Sequence, residues 1–273
     1  MPHLLILGLG YSAGRIAAAV RASGWTVTGT SRDGRAGTVR FDAAGPEIAA
    51  ATHILSSIPP ADGADPVLAR HGAALSGSGR WLGYLSSTGV YGDTGGAWVD
   101  EGAPTGGGRR SARADADAAW LAIGARVFRL PGIYGPGRSA LDRVGEGRAH
   151  RIALPDQVFS RIHVDDIVAG VIAGFAAPAG AYNLADDAPC SQNRVIEAAC
   201  DLLGLDWPPL QTMDEAGLSP MARGFYAENR RVANGKAKRV LGWTPLYPDY
   251  RAGLRALKAT TSPSSASAQP ATA

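Results

Sequence analysis

The chain has 273 residues, 45% of them hydrophobic, a formal charge of +3 and two cysteines. That length suits one large α/β unit or a core with a smaller lobe attached, and the composition allows a sizeable buried core. The basic residues are scattered with no run of five or six like charges, which argues against a nucleic-acid surface, and no apolar stretch reaches membrane-spanning length.

Taken in chain order, the apolar run Leu4–Leu7 is short and enters a glycine turn, so it reads as a strand and not as a signal peptide. A helical pattern follows from Ser12 to Ala22, with Gly24 as its expected cap. Strands are then predicted over Thr26–Thr30, Val39–Phe41, Ile54–Ile58, Trp81–Leu85 and Val127–Leu130, separated by helical or loop segments. Strands rich in Val, Ile and Leu with helices between them predict a parallel sheet covered on both faces, the Rossmann-type doubly wound α/β plan.

Beyond Leu130 the pattern loosens. The segment Pro131–Gly137 reads as a turn-rich loop, followed by a strand over Arg161–Val164, a helix over Asp165–Phe175, and later pieces at Ala181–Ala185, Ser191–Leu203 and Asn234–Leu241. The expected division is a dinucleotide-binding core over 1–130, then remaining core elements and a smaller C-terminal substrate lobe over 131–259. The Ser-, Ala-, Pro- and Thr-rich stretch 260–273 reads as a disordered tail. Cys190 and Cys200 have neither metal-knuckle nor CxxC spacing and are expected to be reduced thiols of a cytoplasmic protein. His163, Asp165 and Asp166 do not predict a metal site: Asp165 is expected to cap the next helix, with His163 packed beneath it.

The strongest local signal is Gly8-Leu9-Gly10-Tyr11-Ser12-Ala13-Gly14, between the first strand and the first helix. Gly8 permits the tight turn, Gly10 admits a pyrophosphate, and small Ala13 lets helix and strand pack closely; Tyr11 and Ser12 open the helix whose N–H groups face the phosphates. An acid roughly 20 residues further on would hold the ribose 2′-OH of NAD. That slot holds Thr30, Ser31 and Arg32 instead, a set suited to the 2′-phosphate of NADP, while Asp33 keeps NAD possible.

With Phe41-Asp42, Leu85-Ser86-Ser87-Thr88-Gly89-Val90-Tyr91-Gly92, Arg129-Leu130-Pro131-Gly132-Ile133-Tyr134-Gly135-Pro136-Gly137 and Arg161-Ile162-His163-Val164-Asp165-Asp166, the chain resembles the extended short-chain dehydrogenase/reductases, the NAD(P)-dependent epimerase/dehydratase-like proteins. The resemblance runs from residue 3 to residue 258. It implies the fold, the cofactor class, Asp42 near adenine, Ser57, Ile58 and Pro59 beside the cofactor ribose, Pro131 at the cofactor, and Ser87 in the place of the family's catalytic Ser or Thr.

The chain departs from that family at the Tyr-x-x-x-Lys pair. Its three lysines, Lys236, Lys238 and Lys258, are preceded four residues earlier by Val232, Asn234 and Leu254. Aligning Arg113–Asp117 with the family's Lys and helical acid puts Arg109 at the Tyr position and Arg113 at the Lys position; an arginine keeps its proton and relays none. The catalytic candidates are therefore Ser87, Thr88, Tyr91 as a replacement phenol, and Arg113. Arg109, Tyr134 and Arg138 are expected to line the substrate cleft, and Asp100-Glu101 to lie solvated in a glycine-rich loop. Two functions fit: an NADP-dependent oxidoreductase or epimerase-like enzyme on a small polar substrate such as a sugar derivative, or a catalytically inactive NADP-binding sensor. Neither nucleic-acid nor membrane partners are expected, and the chain is expected to act as a monomer or homodimer.

Overall fold

The computed structural model describes residues 1–35, 37–108 and 111–261, with the side chains of Met221 and Thr261 set aside. The first half alternates strand and helix: β1 (His3–Leu7), α1 (Tyr11–Ala22), β2 (Thr26–Ser31), β3 (Val39–Arg40), α2 (Gly45–Ala50), β4 (His53–Ser56), α3 (Pro66–Leu75), β5 (Trp81–Ser87), β6 (Trp98–Val99), α4 (Ser111–Ala122) and β7 (Arg126–Leu130). The second half holds β8 (Gly132–Tyr134), α5 (Ala140–Gly145), β9 (Arg151–Ile152), β10 (Arg161–His163), α6 (Val164–Ala173), β11 (Gly180–Asn183), α7 (Gln192–Leu203), β12 (Leu210–Gln211), α8 (Pro220–Tyr226), β13 (Arg231–Val232), α9 (Gly235–Leu241) and α10 (Tyr250–Thr261). Among the described residues no helix is long and apolar enough to cross a membrane.

Seven strands form one sheet in the order β11-β7-β5-β4-β1-β2-β3, with every neighbouring pair parallel. The order reverses direction between β1 and β4, and the crevice above their carboxyl ends is where such sheets bind ligands. Alternating side chains divide between the two faces. Leu4 and Ile6 of β1 pack with α1 and α6, while Leu5 and Leu7 pack with α2, α3 and α4. A strand buried on both faces has no polar positions to spare, which is why β1 reads as an unbroken apolar run.

Helix ends are set locally. Asp65 caps α3 by accepting from the N–H groups of Val67 and Leu68, and its second oxygen accepts from Trp120 Nε1 on α4 at 3.0 Å. Ser139 and Asp142 form a reciprocal capping box at the start of α5. The C-terminal lobe has its own apolar cluster, in which α5, α7 and α10 meet around Leu141, Ile196, Cys200 and Leu254.

Several boundaries differ from the sequence expectations. Gly132–Tyr134 is a strand, because its backbone pairs in register with Arg161–His163 in a two-stranded parallel ribbon. His163, not Asp165, caps α6: its Nδ1 accepts from the Asp165 N–H, which frees Asp165 to pair with Arg15 of α1 at 3.0 Å. Phe41 begins a 3-10 turn and does not end β3. Helix α10 runs on to Thr261, two residues into the stretch expected as tail; the rest of that stretch, 262–273, lies outside the described residues.

Candidate functional site

The crevice is built first from the turn between β1 and α1. Gly8 has φ +90°, and a Cβ there would come within 2.6 Å of Ile58 Cγ1, so the turn excludes any side chain. The turn is held from the neighbouring strand: the Gly8 N–H donates to Thr30 Oγ1 at 3.0 Å and the Leu9 N–H to the Thr30 carbonyl at 2.9 Å. Gly10 is the N-cap of α1 with no side chain capping it, and nothing lies within 4 Å of where its Cβ would be. The first-turn N–H groups, with Tyr11, buried Ser12 and buried Ala13, therefore present an open, positively polarised cradle. Ser57 closes the far side, its N–H donating to the Leu7 carbonyl at 2.9 Å, and Ile58 and Pro59 follow directly against the turn.

At the end of β2 the polar residues divide their roles. Ser31 Oγ donates to Asp33 at 3.0 Å and shares a hydrogen bond with Thr38 Oγ1 at 2.8 Å. The Ser31 hydrogen bond holds the Asp33 carboxyl below the usual carboxylate range. Arg32 is exposed, and among the described residues no hydrogen bond or ion pair engages its guanidinium. Asp42, by contrast, is gripped by Arg40 through both oxygens at 2.7 and 3.0 Å, an exposed pair at the surface.

The end of β5 supplies the opposite wall. Ser87 Oγ accepts from the Gly89 N–H at 3.1 Å, turning the chain into a 3-10 turn over Thr88–Tyr91 in which Thr88 is buried. Arg230 reaches this turn from the C-terminal lobe; its Nη1 donates to the Gly92 carbonyl at 2.6 Å and to Glu228 Oε2 at 2.9 Å. Asn229 ties the same segment to two loops, taking the Asp93 carboxylate on its N–H and donating from Nδ2 to the Asp156 carbonyl. No local motif announces these lobe residues, since they reach the turn across more than 130 positions of sequence.

Tyr91 is placed differently from the cleft-edge phenol expected of it. It is buried, with its hydroxyl donating to Asn183 Oδ1 at 2.7 Å and accepting from Arg129 Nη1 at 2.9 Å. Behind it Arg129 forms a two-pronged salt bridge with Asp117 of α4 at 2.6 and 3.1 Å, both side chains nearly inaccessible, and Ser86 Oγ donates to the same carboxylate at 2.7 Å. Burial works against the Arg129 charge, but its bonds to Asp117 and Tyr91 outweigh that and hold its pKa above the ordinary value. Burial also raises the Tyr91 phenol above its usual value, so it holds its proton firmly. Asp100 is exposed as expected, whereas Glu101 is half-buried and its Oε1 accepts the Asn183 N–H at 2.7 Å, at the outer edge of the sheet.

Of the remaining candidates, Arg113 lies half-buried in the first turn of α4, and Arg109 lies outside the described residues. Tyr134 is buried in the lobe, its ring edge-on to His163, with burial pushing its phenol up. Arg138 is exposed, its guanidinium 5.8 Å from the centre of the Tyr11 ring, and Tyr11 in turn donates its hydroxyl to the Pro136 carbonyl at 3.1 Å. Pro131 follows Leu130, which pairs with Ser87, so Pro131 stands at the same level of the crevice. The structure thus gathers the glycine turn, Ser57, Ile58, Ser87 and Pro131 along one line of strand ends, while Tyr91 and Tyr134 turn inward.

No known family's sequence profile matches this chain. Over 140 residues it is 31% identical to a 3-diazoavenalumate denitrifying reductase from a Streptomyces species, a match covering 47% of this chain and 45% of that protein, so less than half of the relative's length is spanned. Among solved structures, a functionally unknown conserved protein from Silicibacter pomeroyi is 43% identical with a TM-score of 0.88, covering 95% of this chain and 99% of that one. A human epimerase family protein solved with NADPH (16% identity, TM-score 0.73, 93% and 98% coverage) shares the fold. So does a dTDP-glucose 4,6-dehydratase from Bacillus anthracis in complex with NAD (16%, 0.74, 94% and 95%).

Proposed function

The chain belongs to the same family as the functionally unknown Silicibacter pomeroyi protein, and for it we propose an NADPH-dependent reductase that acts on a small polar substrate without the Tyr-Lys proton relay. The observation that carries this reading is the open cradle at Gly8–Ala13, where an uncapped helix N-terminus, a left-handed glycine and a free approach to Gly10 meet at the sheet's switch point. Arg32 supports NADP over NAD. It is the uncommitted guanidinium at the end of β2, beside Ser31, whereas Arg40 is spent on Asp42. The fold relatives named above were solved with NADPH and with NAD.

Hydride transfer itself is the cofactor's chemistry and asks the protein mainly for position. In this reading the cradle would hold the pyrophosphate, Arg32 and Ser31 the 2′-phosphate, and Ser57, Ile58, Pro59 and Pro131 the ribose and nicotinamide side. Ser87 would offer its hydroxyl to the substrate, with Thr88 and Arg113 supporting the turn and the ribose. With Tyr91 bonded on both sides and Arg113 unable to release a proton, the proton of a carbonyl reduction would come from water. The alternative is an acceptor that needs none. The Streptomyces relative is named as a denitrifying reductase of a diazo compound, and such a group in its cationic diazonium form takes one hydride, releases N2 and needs no proton.

The test is a titration with NADPH and NADH, following nicotinamide fluorescence and thermal shift. NADPH is expected to bind more tightly, and Arg32→Ala to weaken NADPH by about tenfold or more while leaving NADH nearly unchanged, the scale of a charge-assisted hydrogen bond. Failure of both nucleotides to bind folded protein would overturn the proposal. Tight binding with no NADPH oxidation across carbonyl, imine and diazo substrates would instead assign a nucleotide sensor.

A further inference from the structure

Beside the cofactor crevice the lobe contains a pocket of about 100 Å³, lined on one side by Arg138, Arg143, Arg161 and Gln192 and on the other by apolar residues that include Val195 and Leu254. Among the described residues that line it there are three arginines and no carboxylate. Arg161 forms its floor. It is 6% exposed, and its two Nη groups donate to the carbonyls of Phe159, Cys190 and Ser191 and to Gln192 Oε1, at 2.9 to 3.3 Å. Those neutral acceptors fix the guanidinium without cancelling its charge, and no ion pair engages Arg138, Arg143 or Arg161 among the described residues.

The carboxyl behind Arg161 neutralises it only in part near neutral pH. Asp186 is 2% exposed, and burial pushes its pKa up to about 7, against the pull of Arg161 and of nearby backbone N–H groups. A buried, only partly neutralised arginine flanked by two exposed ones in a half-enclosed hollow concentrates positive potential at one point. Guanidinium groups match the planar and tetrahedral oxyanions, carboxylate and phosphate, better than any neutral group.

The hollow also sits where a substrate would need its second foothold. Its wall starts at Gly132, two residues past Leu130, the register partner of Ser87. Arg138 spans from the pocket to the ring of Tyr11 in the cradle. We propose that this pocket is an oxyanion subsite, which anchors the carboxylate or phosphate of a small substrate while the other end of that substrate reaches the Ser87 turn. The volume admits one such group. The part played by Ser87 rests on the reductase reading; the subsite itself does not.

Calorimetric titration of NADP⁺-saturated protein with inorganic phosphate, benzoate and the neutral isostere benzamide tests it, since the cofactor's own phosphate sites are then filled. Saturable binding of phosphate or benzoate, at least tenfold tighter than benzamide, is expected. That binding should weaken at least tenfold in Arg143→Gln and persist in Arg148→Gln, an exposed arginine of the same segment that pairs with Glu146. Phosphate alone would indicate a phosphorylated substrate and benzoate alone a carboxylic acid. Binding of neither, binding equal to benzamide, or binding indifferent to both Arg143→Gln and Arg138→Gln would overturn the subsite. If NADP⁺ itself fails to bind, the reductase reading falls separately, and the same Arg143 dependence measured on nucleotide-free protein still decides the pocket.

Discussion

Tyr91 shows how a side chain can sit in a site motif and still serve the core. Its hydroxyl both gives and takes a hydrogen bond, to Asn183 and from Arg129, so no lone pair or proton is left over for a substrate. Tyr91→Phe would leave Arg129 Nη1 and Asn183 Oδ1 short of a partner in a buried place, at a cost of about 1–3 kcal/mol. Urea unfolding should register that loss, while NADPH turnover per folded molecule stays unchanged. A well-folded variant with abolished turnover would return the phenol to the reaction. Ser87 differs in being half-buried and accepting only one backbone N–H, which leaves its own proton available in the crevice.

At the scale of elements, α4 is locked in place by one buried carboxylate. Asp117 on α4 meets Arg129 on β7 and Ser86 on β5, so one carboxylate ties the helix to two adjacent strands. Removing one partner of a buried ion pair strands the other charge, so Asp117→Ala should destabilise the protein by about 3–5 kcal/mol. The expected reading is a large drop in the denaturant midpoint, with the remaining folded fraction still binding NADPH through the distant cradle. A midpoint within experimental error of the parent would show that the pair contributes nothing net.

Across the whole molecule, the junction of sheet and lobe is where burial and charge are least balanced. Asp186 follows β11 and faces Arg161 from below the lobe pocket. Its folded pKa of about 7 lies above the ordinary 3.8, so between those values the folded state binds more protons than the unfolded chain. Stability from this group is therefore greatest below about pH 4 and declines as pH rises to 7, by at most about 1.4 kcal/mol per pH unit. Asp186→Asn should flatten the decline of Tm between pH 5 and pH 8 and raise Tm at pH 8; parallel curves for parent and variant would refute the assignment.

Much of this was legible in the sequence wherever the cause is local. The apolar run of β1, the Gly8–Ala13 turn and the Thr30-Ser31-Arg32 triplet each depend on neighbours within a few residues, so spacing alone predicts strand, cradle and cofactor side. That none of the three lysines follows a tyrosine by four positions is equally plain, since such spacing needs no fold to read. What the tertiary structure decided are the pairings of distant residues. Gly132–Tyr134 becomes a strand only because Arg161–His163 lies alongside, and Glu101 is drawn to the sheet edge because the N–H of Asn183 needs an acceptor. Tyr91 turns inward because Arg129 and Asn183 are there to receive it, and Arg138, Arg143 and Arg161 form one pocket only when the lobe folds onto the sheet. Hydrogen-bond demand and charge clustering act through space, and a linear pattern carries no measure of either.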